Sequence, residues 1–245
     1  MDNLLYRLNI LNDLIKDIRS DHNEIEYIIP MTKAYLQRIA VQIDSNIKIL
    51  FSYEEINDVI IHNDFLGNTQ DDLNYWNIII DNKDLYENKY ERFSYQLCKI
   101  KNGIPMLSII GLPQSQLVYL AKKGIGSFRQ WKNLCPKKIK SSPLNNKVLI
   151  NGNVSLENQN YGILDLIDSL DNVYSEFGVK KMLSIAEGRA KLFPCLYKTK
   201  TRETAAAQLI CEEAGCSVLE TDTKKPLTYH LNKYQNSHFI VMSKN

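Results

Sequence analysis

The sequence predicts a protein that mixes helices and strands, of the α/β and α+β classes. Three observations support this prediction. Apolar residues recur at helical spacing near the N-terminus, and short β-branched runs bounded by turn residues fill the middle of the chain. In the C-terminal half, helical and strand patterns alternate, which is typical of α/β architecture.

Two amphipathic helices are predicted at the start of the chain. The first covers residues 3–19, where leucine and isoleucine recur on one face. The second follows Thr32, a residue type that commonly caps a helix N-terminus, and residues 34–43 supply its apolar face. Both helices are expected to pack their apolar faces on a core.

Strands are predicted through the rest of the first half. They cover residues 48–52, 58–61, 76–80, 94–100, 106–111 and 117–121. The turn Lys-Asn-Gly at residues 101–103 makes the fourth and fifth of these a hairpin. The third is buried and stops at Asp81, and functional side chains are often presented where a strand ends in a loop.

The second half is predicted to form a separate lobe. A boundary near residues 112–114 gives an N-terminal α+β lobe, residues 1–113, and a C-terminal α/β lobe, residues 114–245. Residues 135–143 combine proline, serine and lysine, which is typical of a connecting loop, here one within the second lobe. Strands are then predicted at residues 147–150 and 239–243, and helices at residues 161–170, 179–187 and 204–214.

Composition narrows the function classes. The formal net charge of +2 predicts no strong attraction to a nucleic acid polymer or a membrane surface. The five cysteines are scattered and contain no Cys-x-x-Cys pair, so neither a disulfide framework nor a zinc site is indicated. The N-terminus does not resemble a signal peptide, and no apolar stretch is long enough to span a bilayer. We expect a cytoplasmic protein.

The most informative feature is the order of short motifs after residue 185. These are Ala-Glu-Gly-Arg-Ala at 186–190, Phe-Pro at 193–194, Arg-Glu-Thr-Ala-Ala at 202–206, Glu-Glu-Ala-Gly-Cys at 212–216 and Lys-Pro-Leu-Thr-Tyr at 225–229. Their order resembles the end of a 3'(2'),5'-bisphosphate nucleotidase of the CysQ type, in the inositol monophosphatase superfamily. The resemblance extends from about Thr32 to Ser243, and it implies the layered αβαβα fold of the inositol-monophosphatase-like sugar phosphatases.

Three acidic residues are candidate magnesium ligands. A magnesium-dependent phosphatase needs several carboxylates that converge on one point. Asp81 and Asp84 follow the buried strand, and residues 75–86 are similar to the family run Tyr-Trp-Leu-Val-Asp-Pro-Leu-Asp-Gly-Thr, which places them at its two metal-binding Asp positions. Glu203 replaces the Asp, and Arg202 the Trp, of the family's Trp-Asp-Thr-Ala-Ala. Without the resemblance, the two aspartates fit a solvated turn, and Glu203 fits a helix N-terminal charge beside a solvated Arg202.

The residues that would activate a water molecule are changed. The resemblance places Tyr35 where the family has the Asp of Thr-Glu-Ala-Asp-Leu, and Leu-Tyr at 85–86 where it has Gly-Thr. Tyrosine has an ordinary pKa near 10, so it is a poor base at pH 7. The family's Ser-Glu-Glu-Asp loop falls on residues 61–64, where both Glu positions are lost. Whether His62 or Asp64 replaces those ligands stays open.

The substrate-binding groups are also reduced. Lys181 keeps the phosphate-facing Lys of the family's Gly-Ser-Ser-Leu-Lys, which falls on residues 177–181, while the serine pair is lost. Cys195 replaces the Arg of Tyr-Pro-Arg, and Asn-Gly at 151–152 stands where Ser-Arg is expected. Without the resemblance, the lysine pair at 180–181 fits a solvated helix face.

Two functions follow from this pattern. The sequence favours a pseudophosphatase with a binding or regulatory role, because the metal ligands, the water-activating pair and the substrate cations are changed together. Its partner would be a small phosphate ligand or a protein, a homodimer is left open, and it needs no cofactor. The alternative is an active phosphomonoesterase that hydrolyses 3'-phosphoadenosine 5'-phosphate or a related small phosphate with Mg²⁺. In that case Asp81, Asp84 and Glu203 hold the metal and Lys181 contacts the substrate.

Overall fold

A computed structural model describes most of the chain. It covers residues 2–17, 22–44, 48–53, 65–66, 74–81, 93–142, 148–151, 173–176 and 178–244. The strand predicted at 58–61 and the helix predicted at 161–170 lie outside these ranges. No helix within them is long and apolar enough to cross a bilayer.

Two helices form the first layer. The helix α1 covers Asp2–Asp17, as predicted, and α2 covers His22–Ile43 with Pro30 inside it. The prediction that Thr32 caps α2 was wrong, because the helix begins ten residues earlier. Thr32 is instead fully buried, at helical spacing from the buried Ile28 and Leu36.

An eight-stranded sheet forms the second layer, in the order β2-β1-β3-β4-β5-β6-β7-β8. Its strands are β1 Lys48–Tyr53, β2 Phe65–Leu66, β3 Asn74–Asp81, β4 Ser94–Lys101, β5 Ile104–Leu112, β6 Leu117–Lys122, β7 Gly126–Trp131 and β8 Lys137–Ile139. The predicted hairpin is confirmed, since β4 and β5 pair antiparallel around Asn102 and Gly103, both of which have positive φ. The central strand β3 is buried along its length and brings Asp81 to its end.

The first sheet extends beyond the expected lobe boundary. A division between residues 113 and 114 passes between β5 and β6, which are hydrogen-bonded neighbours in this sheet. The segment 135–143, predicted to be a loop of the second lobe, instead contains β8, which pairs with β7. By sheet membership the division falls between β8 and β9, and we propose the lobe boundary there.

A second sheet and two further helices complete the described fold. The sheet has the order β10-β9-β11-β13-β12. Its strands are β9 Val148–Asn151, β10 Val173–Glu176, β11 Leu192–Cys195, β12 Cys216–Glu220 and β13 Phe239–Ser243, and the helices are α3 Lys180–Ala186 and α4 Thr201–Glu213. The helices predicted at 179–187 and 204–214 are thereby confirmed.

Two apolar clusters hold the layers together. One joins α1 and α2 to one face of the first sheet, and it includes the fully buried Leu8, Leu36 and Trp76. The other joins the opposite face of that sheet to α3, α4 and the second sheet, and it includes Tyr119 and Phe193. The described layers thus follow the order helix, sheet, helix, sheet, as expected for the layered fold.

Candidate functional site

A cavity of about 230 Å³ lies where β3 ends, beside the first turn of α4. Its lining includes charged residues from three elements together with apolar and aromatic residues. The charged residues are Asp81, Lys181, Lys200, Arg202 and Glu203. Three of the four predicted site residues, Asp81, Glu203 and Lys181, therefore meet at one cavity.

Asp81 is placed by the buried strand β3. Its backbone pairs with Ser94 at the start of β4, which fixes the position at which the strand opens into the cavity. Gly178 approaches it closely: a Cβ atom added to Gly178 would lie 3.6 Å from Oδ2 of Asp81. The strand therefore presents this carboxylate beside the segment that leads into α3.

Glu203 lies in the first turn of α4, where the helix dipole favours a negative charge. Its Oε1 lies 3.8 Å from Nζ of Lys200. Arg202 is only 9% exposed, so the interpretation of this arginine as a solvated neighbour was wrong. Nδ2 of Asn77 in β3 donates to the Arg202 carbonyl at 2.9 Å, and this bond fixes the start of α4 against the strand that carries Asp81.

Lys181 is 8% exposed, so the solvated-face interpretation is wrong for this lysine. Its ammonium donates a hydrogen bond to the Tyr197 hydroxyl and lies 5.4 Å from the centroid of the Phe193 ring. Burial lowers the pKa of Lys181, while the nearby Glu203 and Asp81 carboxylates oppose that shift. The charge of this lysine is thus held next to the two acidic side chains.

Two further lining residues are neutral. Burial raises the pKa of the Cys195 thiol to about 11, so it is protonated at pH 7 and is not an activated nucleophile. Burial also raises the pKa of the Tyr197 hydroxyl above its ordinary value. The net charge of the described cavity lining therefore depends on its lysine, arginine and carboxylate side chains.

Tyr35, which the resemblance places at the position of the family's catalytic Asp, lies in another part of the fold. Its hydroxyl donates to the Arg7 carbonyl in α1 at 2.8 Å, and its ring packs against the cluster between the helices and the first sheet. Burial raises its pKa further. Tyr35 is not among the residues that line the cavity, and it cannot accept a proton from a water molecule there.

The remaining predicted residues lie outside the described part of the chain. They are Asp84, His62, Asp64 and the Leu-Tyr pair at 85–86. The roles given to them stay predictions.

The described residues do not fit a pair of magnesium ions. Such a pair needs several carboxylates at one point, arranged around octahedral ions. Within the described ranges, no group of three or more His, Cys, Asp or Glu side chains could hold a metal ion. In the cavity the two carboxylates share their space with Lys181, Lys200 and Arg202, whose positive charges oppose the entry of a cation.

Sequence reasoning missed several lining residues. Gln96 in β4 is 3% exposed, and its Oε1 has no hydrogen-bond partner among the described residues. Lys200 and Tyr197 precede α4, and neither belongs to a motif that the sequence shows. The alternation of side chains along β4 could have placed Gln96 on one face of the sheet, but only the packing of α4 shows that this face borders a cavity.

The comparisons with known proteins agree with this fold. Residues 86–244 match the model of the inositol monophosphatase family. CysQ from Bacteroides thetaiotaomicron, described as a bacterial member of that family, is 20% identical with a TM-score of 0.70, over 98% of this chain and 94% of that one. Inositol monophosphatase-II from Staphylococcus aureus MSSA476 is 15% identical with a TM-score of 0.68, over 99% and 87%. The inositol monophosphatase from Anabaena (Nostoc) sp. PCC 7120 is 18% identical with a TM-score of 0.67, over 98% and 89%. No curated protein matches the sequence significantly.

Proposed function

Because this chain belongs to the inositol monophosphatase family, we propose that it is a pseudophosphatase of that family, which binds a ligand in the cavity without hydrolysing it. The family is generally magnesium-dependent. In an active member, the metal would hold the attacking and leaving oxygens of a phosphoryl group. This chain keeps the cavity but has changed the groups that surround it.

The observation that carries the proposal is the position of Tyr35. Hydrolysis needs a base within hydrogen-bonding reach of the attacking water. The resemblance places Tyr35 at the sequence position of that base, yet its hydroxyl donates to the Arg7 carbonyl in the helical layer. The cavity lining supports the same conclusion, because Lys200 and Arg202 place positive charge beside the carboxylate of Glu203.

The alternative is an active magnesium-dependent phosphomonoesterase, and one observation favours it. Asp81, Glu203 and Lys181, which the resemblance assigns to metal and substrate binding, do line one cavity. A third carboxylate from Asp84 would bring the donor set closer to that of an enzyme. The partner classes, a small phosphate ligand, a protein or a second copy of the chain, stay predictions.

A phosphate-release assay separates the two functions. Purified protein is incubated with Mg²⁺ and a panel of bisphosphate nucleotides, inositol phosphates and sugar phosphates. We expect the wild-type protein to release phosphate no faster than Asp81→Asn does, because it lacks a base and a complete set of metal ligands. Turnover that Asp81→Asn abolishes, and that Asp222→Asn on the surface leaves intact, would reject the pseudophosphatase.

A further inference from the structure

Among the described residues that line the cavity, positively charged side chains outnumber carboxylates. Three cations, Lys181, Lys200 and Arg202, face two carboxylates, Asp81 and Glu203, among the described lining residues. The helix α4, which has 13 residues, begins at the cavity, so the partial positive charge of its N-terminal dipole adds to that of the side chains. The described lining therefore favours an anion through the protein's own groups.

A buried polar atom on the cavity wall lacks a partner. Gln96 is 3% exposed, it lines the cavity, and its Oε1 accepts no hydrogen bond from any described residue. Gln96 lies in the middle of β4, between Ile79 of β3 and Ile110 of β5, so the backbone holds it in place. Because an unsatisfied buried amide is costly, it is a site where a ligand can donate an N–H or O–H group.

Part of the cavity lining is apolar and includes aromatic rings. Phe193 and Phe239 pack edge to face with their ring centroids 6.4 Å apart, and both line the cavity together with Val179 and Met182. A fully hydrated ion such as free phosphate gains nothing from these side chains. A ligand with an apolar body would bury its surface there.

These three features together define the ligand class. We propose that the cavity binds a small organic oxyanion with an apolar body, a phosphate monoester or a carboxylate, without a divalent metal ion. Lys200 and Arg202 then supply the positive charge that magnesium would otherwise bring. The inference rests on the proposed function, because a cavity that binds its anion in this way has no ion with which to polarise water.

The test is a binding titration of the full chain in EDTA, measured by calorimetry. Phenylphosphonate, which cannot be hydrolysed, represents the phosphate class, and benzoate represents the carboxylate class. Inorganic phosphate serves as the probe without an apolar body. We expect at least one aromatic anion to bind more tightly than inorganic phosphate, and added Mg²⁺ to change its Kd less than about threefold.

Charge variants then distinguish a site built from protein cations from a metal site. Removing the Glu203 carboxylate should weaken anion binding at a metal site but not at a site built from cations. Lys200→Gln and Arg202→Gln should weaken binding by about tenfold or more, since each removes a charged donor. Glu203→Gln should leave binding unchanged or tighten it. Lys122→Gln, a lysine outside the cavity, is the matched control. Lys200 is partly exposed, so its variant keeps the test valid if Arg202→Gln does not fold.

Three results would overturn the inference: neither aromatic anion binds in EDTA, binding requires Mg²⁺, or Glu203→Gln abolishes it. Because phenylphosphonate is not a substrate, these results are independent of the phosphate-release assay. Turnover with Mg²⁺ would reject the pseudophosphatase, whereas metal-dependent binding without turnover would reject only the metal-free site.

Discussion

Gly111→Ala is expected to destabilise the protein by about 3 kcal/mol, the upper end of the usual cost of overpacking a core. Gly111 in β5 pairs with Tyr95 in β4, and a Cβ atom at this glycine would lie 2.0 Å from Cζ of the Tyr95 ring. That ring is fully buried and cannot withdraw easily, because its hydroxyl donates to Oδ1 of Asn12 at 2.9 Å. Urea unfolding should show a lower midpoint with an unchanged slope.

Gly124→Ala is the matched control for that variant. A Cβ atom there meets nothing within 4 Å, so the substitution carries only the cost of its positive φ of 78°. We expect a loss of about 1 kcal/mol. Equal losses at the two positions would contradict the close approach of Tyr95 to β5.

Glu187→Ala is expected to cost about 3 kcal/mol of stability. The Glu187 side chain is 7% exposed, accepts hydrogen bonds of 2.7 Å from Tyr119 and Arg129, and forms an ion pair of 2.7 Å with Arg189. Since Tyr119 and Arg129 lie in β6 and β7, this carboxylate joins the end of α3 to the first sheet. Its removal leaves the buried Tyr119 hydroxyl without its acceptor, which adds a desolvation penalty to the lost bonds.

Thermal or urea unfolding of Asp13→Ala provides the comparison for Glu187. Asp13 accepts one exposed hydrogen bond of 2.9 Å from Gln116, so its loss should change stability by about 0.5 kcal/mol or less. If the two variants were equally stable, the Glu187 network would be a surface feature without a role in joining the layers.

Much of the fold could be predicted from the sequence, because its clearest elements carry strong local patterns. The strand β3 has an apolar run interrupted only by Asn77, and Asn102 and Gly103 specify the hairpin turn between β4 and β5. The strand β8 could not be predicted, since Lys137–Ile139 carries no alternation and becomes a strand only by pairing with β7. The start of α2 was missed for a related reason, because Pro30 interrupts the helical pattern but not the helix.

Part of the site was predictable, but its charge was not. The resemblance assigned Asp81, Glu203 and Lys181 to one site, and the three line one cavity although 122 positions separate the first from the second. The start of α4 is held against β3 by the bond from the Asn77 amide to the Arg202 carbonyl, two residues that are far apart in sequence. No local pattern can show that Arg202 lines the same cavity as Glu203 and Asp81.

A metal titration is the most direct test of the proposal that the cavity does not hold a pair of metal ions. Manganese suits the same oxygen ligands as magnesium, and paramagnetic resonance counts its free and bound forms. With inorganic phosphate present, we expect no saturable binding of Mn²⁺. The titration curves of the wild-type protein and of Asp81→Asn should be identical. Saturable binding of two ions per chain, lost in Asp81→Asn and in Glu203→Gln, would contradict this and would identify the cavity as a working metal site.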